Sequence, residues 1–441
     1  MGNLAAVLMA GGLGTRMRSA VPKHFHPLLG RPMVDWIVAA AREAGAEPLV
    51  VVASPSTRDR FEEGDLVVAV QEQALGTGDA VRSAREALAG HEGDVLILSG
   101  DTPMLTGALL RELVEEHRRT GVDATILSAE PPDPRLYGRV VRNADGGVAK
   151  VVEGTDASDE EKRIREINSS IYVFKSAALW PALEQLEPKN VQGELYLTDA
   201  IELVVRGGGR VGAYVAPDHR ETDGVNTRVE LAQAAAVLRD RINEQHMLAG
   251  VTIVDPQTTW IEPTVELEAD SVVHPFTILR GATRVATGAE VGANTVAVDA
   301  HIGAHATIGP FCYLRPGTVL GESSKAGTFV EIKNSRIGDR TKVPHLSYLG
   351  DADVGADTNI GAGAITANLS HYPGRPKSRT TIGDNVRTAI HNAFVAPVTI
   401  GDGAWIGAGS VITKDVPADA LAVARARQEN KEGYAARKRE S

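Results

Sequence analysis

The stretch Ala300-His-Ile-Gly-Ala-His-Ala-Thr-Ile-Gly-Pro-Phe-Cys-Tyr-Leu-Arg-Pro-Gly-Thr-Val-Leu320 carries an aliphatic side chain at every sixth position: Ile302, Ile308, Leu314 and Leu320. Upstream the same period runs through Ile261, Leu267, Val273, Leu279, Val285 and Val291, then skips one residue to Val296. Downstream Ala326 and Ile332 keep phase, and further skips lead to Ile337, Val343, Leu349, Val354 and Ile360. The last run is Ile382, Ile400, Ile406 and Ile412, with Thr388 and Phe394 in phase. A period of six held over roughly 150 residues predicts a parallel β-helix of triangular section, one hexapeptide to a side and about 18 residues to a coil. The aliphatic residue points inward and small residues turn the corners. Residues 368–379 interrupt the repeat with a polar, proline-bearing loop, and an excursion of that length marks a functional element or an interface.

The preceding half follows another rule. Apolar runs at 4–10, 48–53, 66–70 and 95–98 alternate with helically spaced segments at 33–44, 78–88 and 109–120. That alternation predicts a parallel α/β sheet of Rossmann-like type with helices on both faces and its site at the carboxyl ends of the strands. Residues 227–247 read as one amphipathic helix whose apolar side holds Val229, Leu231, Ala232, Ala235, Leu238, Ile242 and Met247. The expected division is therefore an α/β domain at 1–226, a linker helix at 227–250, a β-helix at 251–424 and a basic tail at 425–441.

Composition bounds the function. The 441 residues hold 46 Lys and Arg against 57 Asp and Glu, a formal charge of −11, which argues against nucleic-acid or anionic-membrane partners. Apolar runs fall far short of the ~20 residues of a membrane span. A single cysteine, Cys312, rules out an intrachain disulfide. With an apolar strand following directly on the N-terminus, these features predict a cytoplasmic protein. Aromatics at 4% beside 45 glycines leave the cores to Val, Ile, Leu and Ala, which suits a parallel sheet and narrow β-helix layers.

Chemistry-bearing motifs cluster at the expected strand ends. Leu8-Met-Ala-Gly-Gly-Leu-Gly-Thr-Arg-Met17 follows the first strand, and its glycines let backbone N–H groups approach a polyphosphate while Arg16 and, beyond Pro22, Lys23 add charge. Asp101, in Ser99-Gly-Asp-Thr-Pro103, closes the strand at 95–98, where a carboxylate can hold Mg2+. Taken alone it reads more readily as a helix N-cap or turn aspartate. In the repeat half, His345 has the residue type of a general base, because its ordinary pKa lies near the working pH. Taken alone it reads as a solvated turn residue.

The string from Leu8 through Lys23 to His26-Pro-Leu-Leu-Gly-Arg-Pro32 resembles the signature of sugar-phosphate nucleotidyltransferases. The hexads resemble the left-handed β-helix of the hexapeptide-repeat acyltransferases. In this order the two halves are similar to the bifunctional family of N-acetylglucosamine-1-phosphate uridylyltransferases / glucosamine-1-phosphate N-acetyltransferases. The resemblance implies two co-substrates, UTP and acetyl-CoA, with Mg2+ as cofactor, small-molecule amino-sugar phosphates as partners and a homotrimeric assembly. It implies Arg16 and Lys23 as catalytic cations and Asp101 with Asn226 (in Asp223-Gly-Val-Asn226) as metal ligands. UTP and UDP-N-acetylglucosamine would be bound by Leu8, Ala10, Gly11, Gly12, Lys23, Gln71, Gly76, Thr77, Gly138, Glu153, Asn168 and Asn226. Tyr196-Leu-Thr-Asp199 matches a further string, whose implied role is structural.

For the second half the resemblance implies His345 as catalytic base. Arg315, Lys333, Tyr348 and Asn359 would bind glucosamine-1-phosphate, and Asn368, Lys377, Ala408 and Arg425 would bind acetyl-CoA. No acyl-enzyme is required, and Cys312 reads as a packed thiol. Two strings depart from the family. The loop Asn368-Leu-Ser-His-Tyr-Pro-Gly-Arg-Pro-Lys377 is about three residues longer than the usual pattern, with Tyr372 in place of the usual tyrosine. Ala389-Ile-His391 stands where a Gly-Ser-Asp turn is expected. The competing expectation is a nucleotidyltransferase of other sugar specificity whose β-helix has altered acyl transfer or serves assembly alone.

Overall fold

The computed structural model describes residues 3–12, 14–61, 66–134, 136–190, 192–369, 374 and 376–439, and it divides into two compact units, 1–238 and 239–441.

The first unit is built on one nine-stranded sheet. Its strands are β1 (Leu4–Met9), β2 (Leu49–Ala53), β3 (Val67–Val70), β4 (Asp94–Ser99), β5 (Ala124–Ala129), β6 (Arg139–Arg142), β7 (Val148–Val152), β8 (Ile167–Lys175) and β9 (Val211–Val215). Their order is β9-β5-β8-β4-β1-β2-β3, with β6 on β8 and β7 on β6. β1, β2, β3 and β4 run parallel, as their apolar runs predict. The sheet as a whole is mixed, because β8 lies antiparallel between β4 and β5. This corrects the all-parallel expectation: β8 runs antiparallel to β4, β5 and β6, and β6 and β7 form a hairpin beside it.

Alternation along β1 feeds two cores. Ala5 and Val7 pack under helices α2 (Thr77–Ser83), α4 (Ser176–Glu184) and α5 (Leu197–Arg206), while Leu4, Ala6 and Leu8 pack under α1 (Met33–Glu43) and α3 (Gly107–Thr120). Helix α6 (Arg228–Leu248) starts with a capping box, in which Glu230 Oε2 takes the Asn226 and Thr227 amides and Thr227 Oγ1 takes that of Glu230. Its first turns bury Ala234 and Leu238 against Met17, Leu28, Met33 and Met104.

The second unit is a left-handed β-helix. Strands of two to four residues stack in parallel on three faces, most paired with the strand 17 or 18 residues on, as Val272 with Glu290 and Arg284 with His301, and across the excursion 28 residues on, as Ala352 with Thr380. The first face begins Thr252–Ile253 and Val272–Val273, the second Trp260–Ile261 and Ile278–Arg280, the third Glu266–Leu267 and Arg284–Val285. Around the excursion the first face stays continuous through Asn359, which bridges Lys342 and Arg387.

Two readings of the repeat are corrected. The inward residue after Val291 is Ala297, fully buried, while Val296 is only half-buried, so the skip lies between Ala297 and Ile302. The corners are not turned by small residues alone. Left-handed positions recur along the coils at Phe276, Asn294, Phe311, Phe329, Arg340 and Leu346 among others. Small residues instead sit two before most of the inward positions, buried inside, as Thr277, Thr283, Ala306 and Ser347 do. There Thr283 and Thr318 hydroxyls donate to backbone carbonyls of the turn they brace.

Candidate active sites

In the first unit the strand ends bring four expected residues together. Asp101 follows β4, Asn226 is fixed by the capping box of α6, and Lys23 opens a one-turn 3-10 helix, Lys23–Phe25. The Lys23 ammonium lies 2.7 Å from Asp101 Oδ2 and 2.9 Å from Asn226 Oδ1, and Arg16 donates to the same Asn226 oxygen at 2.9 Å. Gly14 permits this closeness. Its φ is +64°, and a Cβ there would fall 2.3 Å from Lys23 Cβ. Burial pushes the Asp101 carboxyl up, but the charge and hydrogen bond of Lys23, with the Ser99 hydroxyl at 2.6 Å, outweigh it and hold the group below its ordinary value. His24, buried beside them, is driven down to about 4 by burial and then by Lys23, so it stays neutral.

The Asp101 and Asn226 oxygens thus converge on one cation, and both are hard donors of the kind Mg2+ prefers. Among the described residues no three His, Cys, Asp or Glu side chains gather to enclose a metal. A two-oxygen site of this kind leaves positions open for substrate phosphates, which is how Mg2+ is usually held in phosphoryl-transfer enzymes.

Beside the glycine loop, Gln71 Nε2 donates to Gly76 O and Asp79 Oδ2, both at 3.0 Å, and its Oε1 faces Gly11. With its donors spent, the free acceptor can take an imide N–H. Gly76, at φ +116°, crosses the chain at Leu195, whose carbonyl would lie 2.5 Å from any Cβ there. Thr77 Oγ1 accepts the Leu197 amide. The structure also groups Gly138, Glu153 and Asn168: a Cβ on Gly138 would lie 3.5 Å from both Glu153 Oε2 and Asn168 Cβ. Asn168 is re-aimed by a bulge at Ser170 (φ +64°) and donates to Tyr172 Oη at 2.8 Å. Glu153 borders a cavity of about 250 Å³ with Thr77, Tyr172, Tyr196 and Thr198. Burial, then the charges of Asp156 and Asp199, raises its carboxyl above the ordinary value despite the Thr198 hydroxyl at 3.0 Å.

The Leu8 side chain is buried in the core under α1 and α3, and Gly11 and Gly12 lie beyond the strand end. Sequence reading missed Tyr172 and gave Thr198 only a structural part, although both line the cavity. The Tyr196-Leu-Thr-Asp199 string was the available signal.

On the β-helix, the second face stacks Tyr313, Glu331 and Tyr348 in register, with Lys333 opposite Gly350. Arg315 pairs with Glu331 at 2.8 Å. Lys377 approaches Lys333 from the excursion, and its proximity and charge, with that of Arg315, hold Lys333 below the ordinary lysine range, with Asp351 opposing. Arg315, Lys333 and Lys377 therefore form one cationic cluster beside Tyr348. His345 ends the strand Lys342–His345 and is exposed. Asn359 falls on the first face, between Lys342 and Arg387, away from the Arg315–Tyr348 column.

The four residues expected to bind acetyl-CoA separate into two places. Asn368 is buried against Asp351 and Lys377 stands at Lys333, whereas Arg425 lies over Gly409, next to Ala408. Tyr372 lies outside the described residues. In the altered turn, Ile390 is exposed and the His391 ring covers Gly363, with Nδ1 2.6 Å from a would-be Cβ. Cys312 is buried, which pushes its thiol up to about 12 and keeps it protonated, as the packed-thiol reading expects.

Residues 6–198 match the MobA-like NTP transferase domain family. Over its full length the chain is similar to proteins described as bifunctional protein GlmU. That of Streptomyces coelicolor is 51% identical over 99% of this chain and 94% of its own length. That of Caldanaerobacter subterraneus is 48% identical over 98% of each. That of Corynebacterium aurimucosum is 46% identical over 99% of this chain and 94% of its own.

Proposed function

The chain belongs to the GlmU family of bifunctional proteins, and we propose from that premise how its residues divide two reactions between its two units. It is a bifunctional uridylyltransferase and acetyltransferase, which acetylates glucosamine-1-phosphate with acetyl-CoA and joins the product to UTP, giving UDP-N-acetylglucosamine and pyrophosphate.

In the first unit, a phosphate oxygen of N-acetylglucosamine-1-phosphate attacks the α-phosphorus of UTP, and the α–β phosphoanhydride bond breaks to release pyrophosphate. The nucleophile is already anionic, so the protein supplies position and positive charge rather than a base. Lys23 and Arg16 neutralise the phosphates, the loop at Gly11 and Gly12 gives backbone N–H groups, and Gln71 Oε1 accepts the uracil imide proton. Glu153 and Asn168 take sugar hydroxyls and the acetamide. Asp101 and Asn226 would hold Mg2+, which when bound supplies further charge to the triphosphate. The observation that carries this reading is the convergence of Lys23, Arg16, Asp101 and Asn226 within hydrogen-bond distance at the strand ends.

In the second unit, His345 takes a proton from the substrate ammonium, the freed amine attacks the thioester carbonyl, and the C–S bond breaks to release coenzyme A. Arg315, Lys333 and Lys377 hold the sugar phosphate, and Tyr348 packs beside it. Asn359 lies on a different face from this cluster, which supports a site completed by a second copy and hence a homotrimer. The half-exposed corner ladder of Phe311 stacked on Phe329, ring centroids 5.3 Å apart, with Phe276 and Leu346 supports the same assembly. No helix among the described residues is long and apolar enough to cross a membrane; its nucleotide and acetyl-CoA substrates support a cytoplasmic location.

The test is paired. Thiol release from acetyl-CoA with glucosamine-1-phosphate and pyrophosphate release from UTP with N-acetylglucosamine-1-phosphate are measured on one preparation. Both should appear. Pyrophosphate without thiol would leave a uridylyltransferase whose β-helix serves another acyl donor or assembly.

A further inference from the structure

Asp351 has no role in either reaction as described so far, yet it is 6% exposed and sits in the left-handed region, at φ +51°. A carboxylate is an acceptor-only group, and each oxygen of this one is taken by a carboxamide from a neighbouring coil. Asn334 Nδ2, from the coil before, donates to Oδ1 at 2.5 Å, and Asn368 Nδ2, from the coil after, donates to Oδ2. Asn334 directly follows Lys333 in the chain, and Asn368 is where the excursion leaves the β-helix.

The backbone of the same residue ties down the other end. Thr380 N donates to Asp351 O at 3.1 Å, and Ser378 N donates to Asn368 O at 3.0 Å. Between them Arg379 makes a two-point pair with Asp353 and reaches the carbonyls of Asn334 and Ala352. Lys377, one residue before Ser378, is thereby delivered to Lys333. Gly350, the neighbour of Asp351, completes the arrangement. A Cβ there would lie 2.3 Å from Tyr348 Oη and 2.8 Å from Asn368 Nδ2, so its absence lets the phenol settle beside the Asn368 carboxamide.

We propose that Asp351 is the positioning residue of the acetyl-transfer site: its side chain and carbonyl together clamp both ends of the 368–379 excursion, and so set Lys377 against Lys333 beside Tyr348. The proposal rests on the acetyl-transfer reading of this face. Asp351 acts through Asn334, Asn368 and Thr380, and touches no substrate. Two like charges, Lys333 and Lys377, repel each other until an anion joins them. A clamp of buried, charge-assisted hydrogen bonds is what holds them together beforehand.

The experiment uses the full-length protein. Asp351→Ala should raise the KM for glucosamine-1-phosphate about tenfold, the loss expected for a charge-assisted hydrogen bond, with a smaller effect on kcat. Pyrophosphate release from UTP should not change, which confines the effect to the second unit. Asn368→Asp sets two carboxylates against each other and should impair acetyl transfer alone. Adding Asp351→Asn to it restores a carboxylate–carboxamide pair and should recover most of the loss. Hydrogen exchange reads the clamp without activity: the Ser378 amide should exchange about tenfold faster in Asp351→Ala. Unchanged exchange at Ser378, or a double variant no better than Asn368→Asp, would overturn the proposal. A wild-type protein that releases no thiol would instead sink the acetyl-transfer reading, and the exchange measurement would still decide the clamp.

Discussion

The Lys23 ammonium stands 2.7 Å from the Asp101 carboxylate across 78 residues of sequence, with both side chains largely buried. Each is the other's counter-charge before any nucleotide arrives, so neither can be removed without leaving a buried charge unpaired.

Asp101→Ala should therefore lower the rate of pyrophosphate release on the order of 10²-fold or more, the scale found when a preorganised electrostatic group is lost from a phosphoryl- or acyl-transfer site. Thiol release from acetyl-CoA should stay at the wild-type level. Loss of both activities in a folded variant would refute two separate sites.

His345→Ala should give the reverse pattern. Thiol release falls roughly 10²- to 10⁴-fold, the usual contribution of a general base, while pyrophosphate release is retained. A steady-state comparison at saturating acetyl-CoA reads the difference.

Glu153 predicts a pH effect on stability. Its folded carboxyl titrates above the ordinary 4.5, chiefly because burial disfavours the charge. The folded state then binds the proton more tightly than the unfolded chain, so stability falls as pH rises from about 4.5 through the folded value and stays lower above it. Glu153→Gln should melt higher than wild type at pH 7, with the gap closing below pH ~4.5, and should bind UDP-N-acetylglucosamine more weakly. Thermal melts at both pH values and a binding titration check the two signs.

Gly76 is the steric test. Ala at φ +116°, with the Leu195 carbonyl 2.5 Å from its Cβ, should destabilise the first unit by about 2 kcal/mol or more and raise the KM for UTP. Denaturant unfolding followed in the first unit measures the loss.

The assembly is checked by light scattering, which should return three times the chain mass of 46.6 kDa. A monomer that retains acetyl transfer would overturn the shared-site reading.

The hexad period made the β-helix legible because a solenoid repeats one local rule, an aliphatic residue facing inward. Its phase was less legible. Val296 and Ala297 are both apolar and adjacent, and only burial shows that the smaller one fills the interior. Outward left-handed corners such as Phe311 and Phe329 were hidden because aromatic residues seldom adopt that conformation. The strand β8 was hidden because direction within a sheet leaves no mark on a run of buried residues. At the sites, Lys23, Arg16, Asp101 and Asn226 were found by motif and are gathered in space. Asp351 was not, since nothing in Leu349-Gly-Asp-Ala352 announces that two carboxamides 17 residues away on either side will meet its oxygens.

The 17- or 18-residue register has one last implication. Along most of the repeat, a coil meets just the one below it and the one above it, so a disturbance fades within a storey and the column behaves as a stack of bricks rather than a single block. Asn359 lets the masonry on the first face continue past the excursion, so that wall does not depend on what lies between Asn368 and Thr380. Between its two clamped ends the chain can lengthen or shorten over evolutionary time while the courses beneath it stay aligned, so long as Lys377 still reaches Lys333.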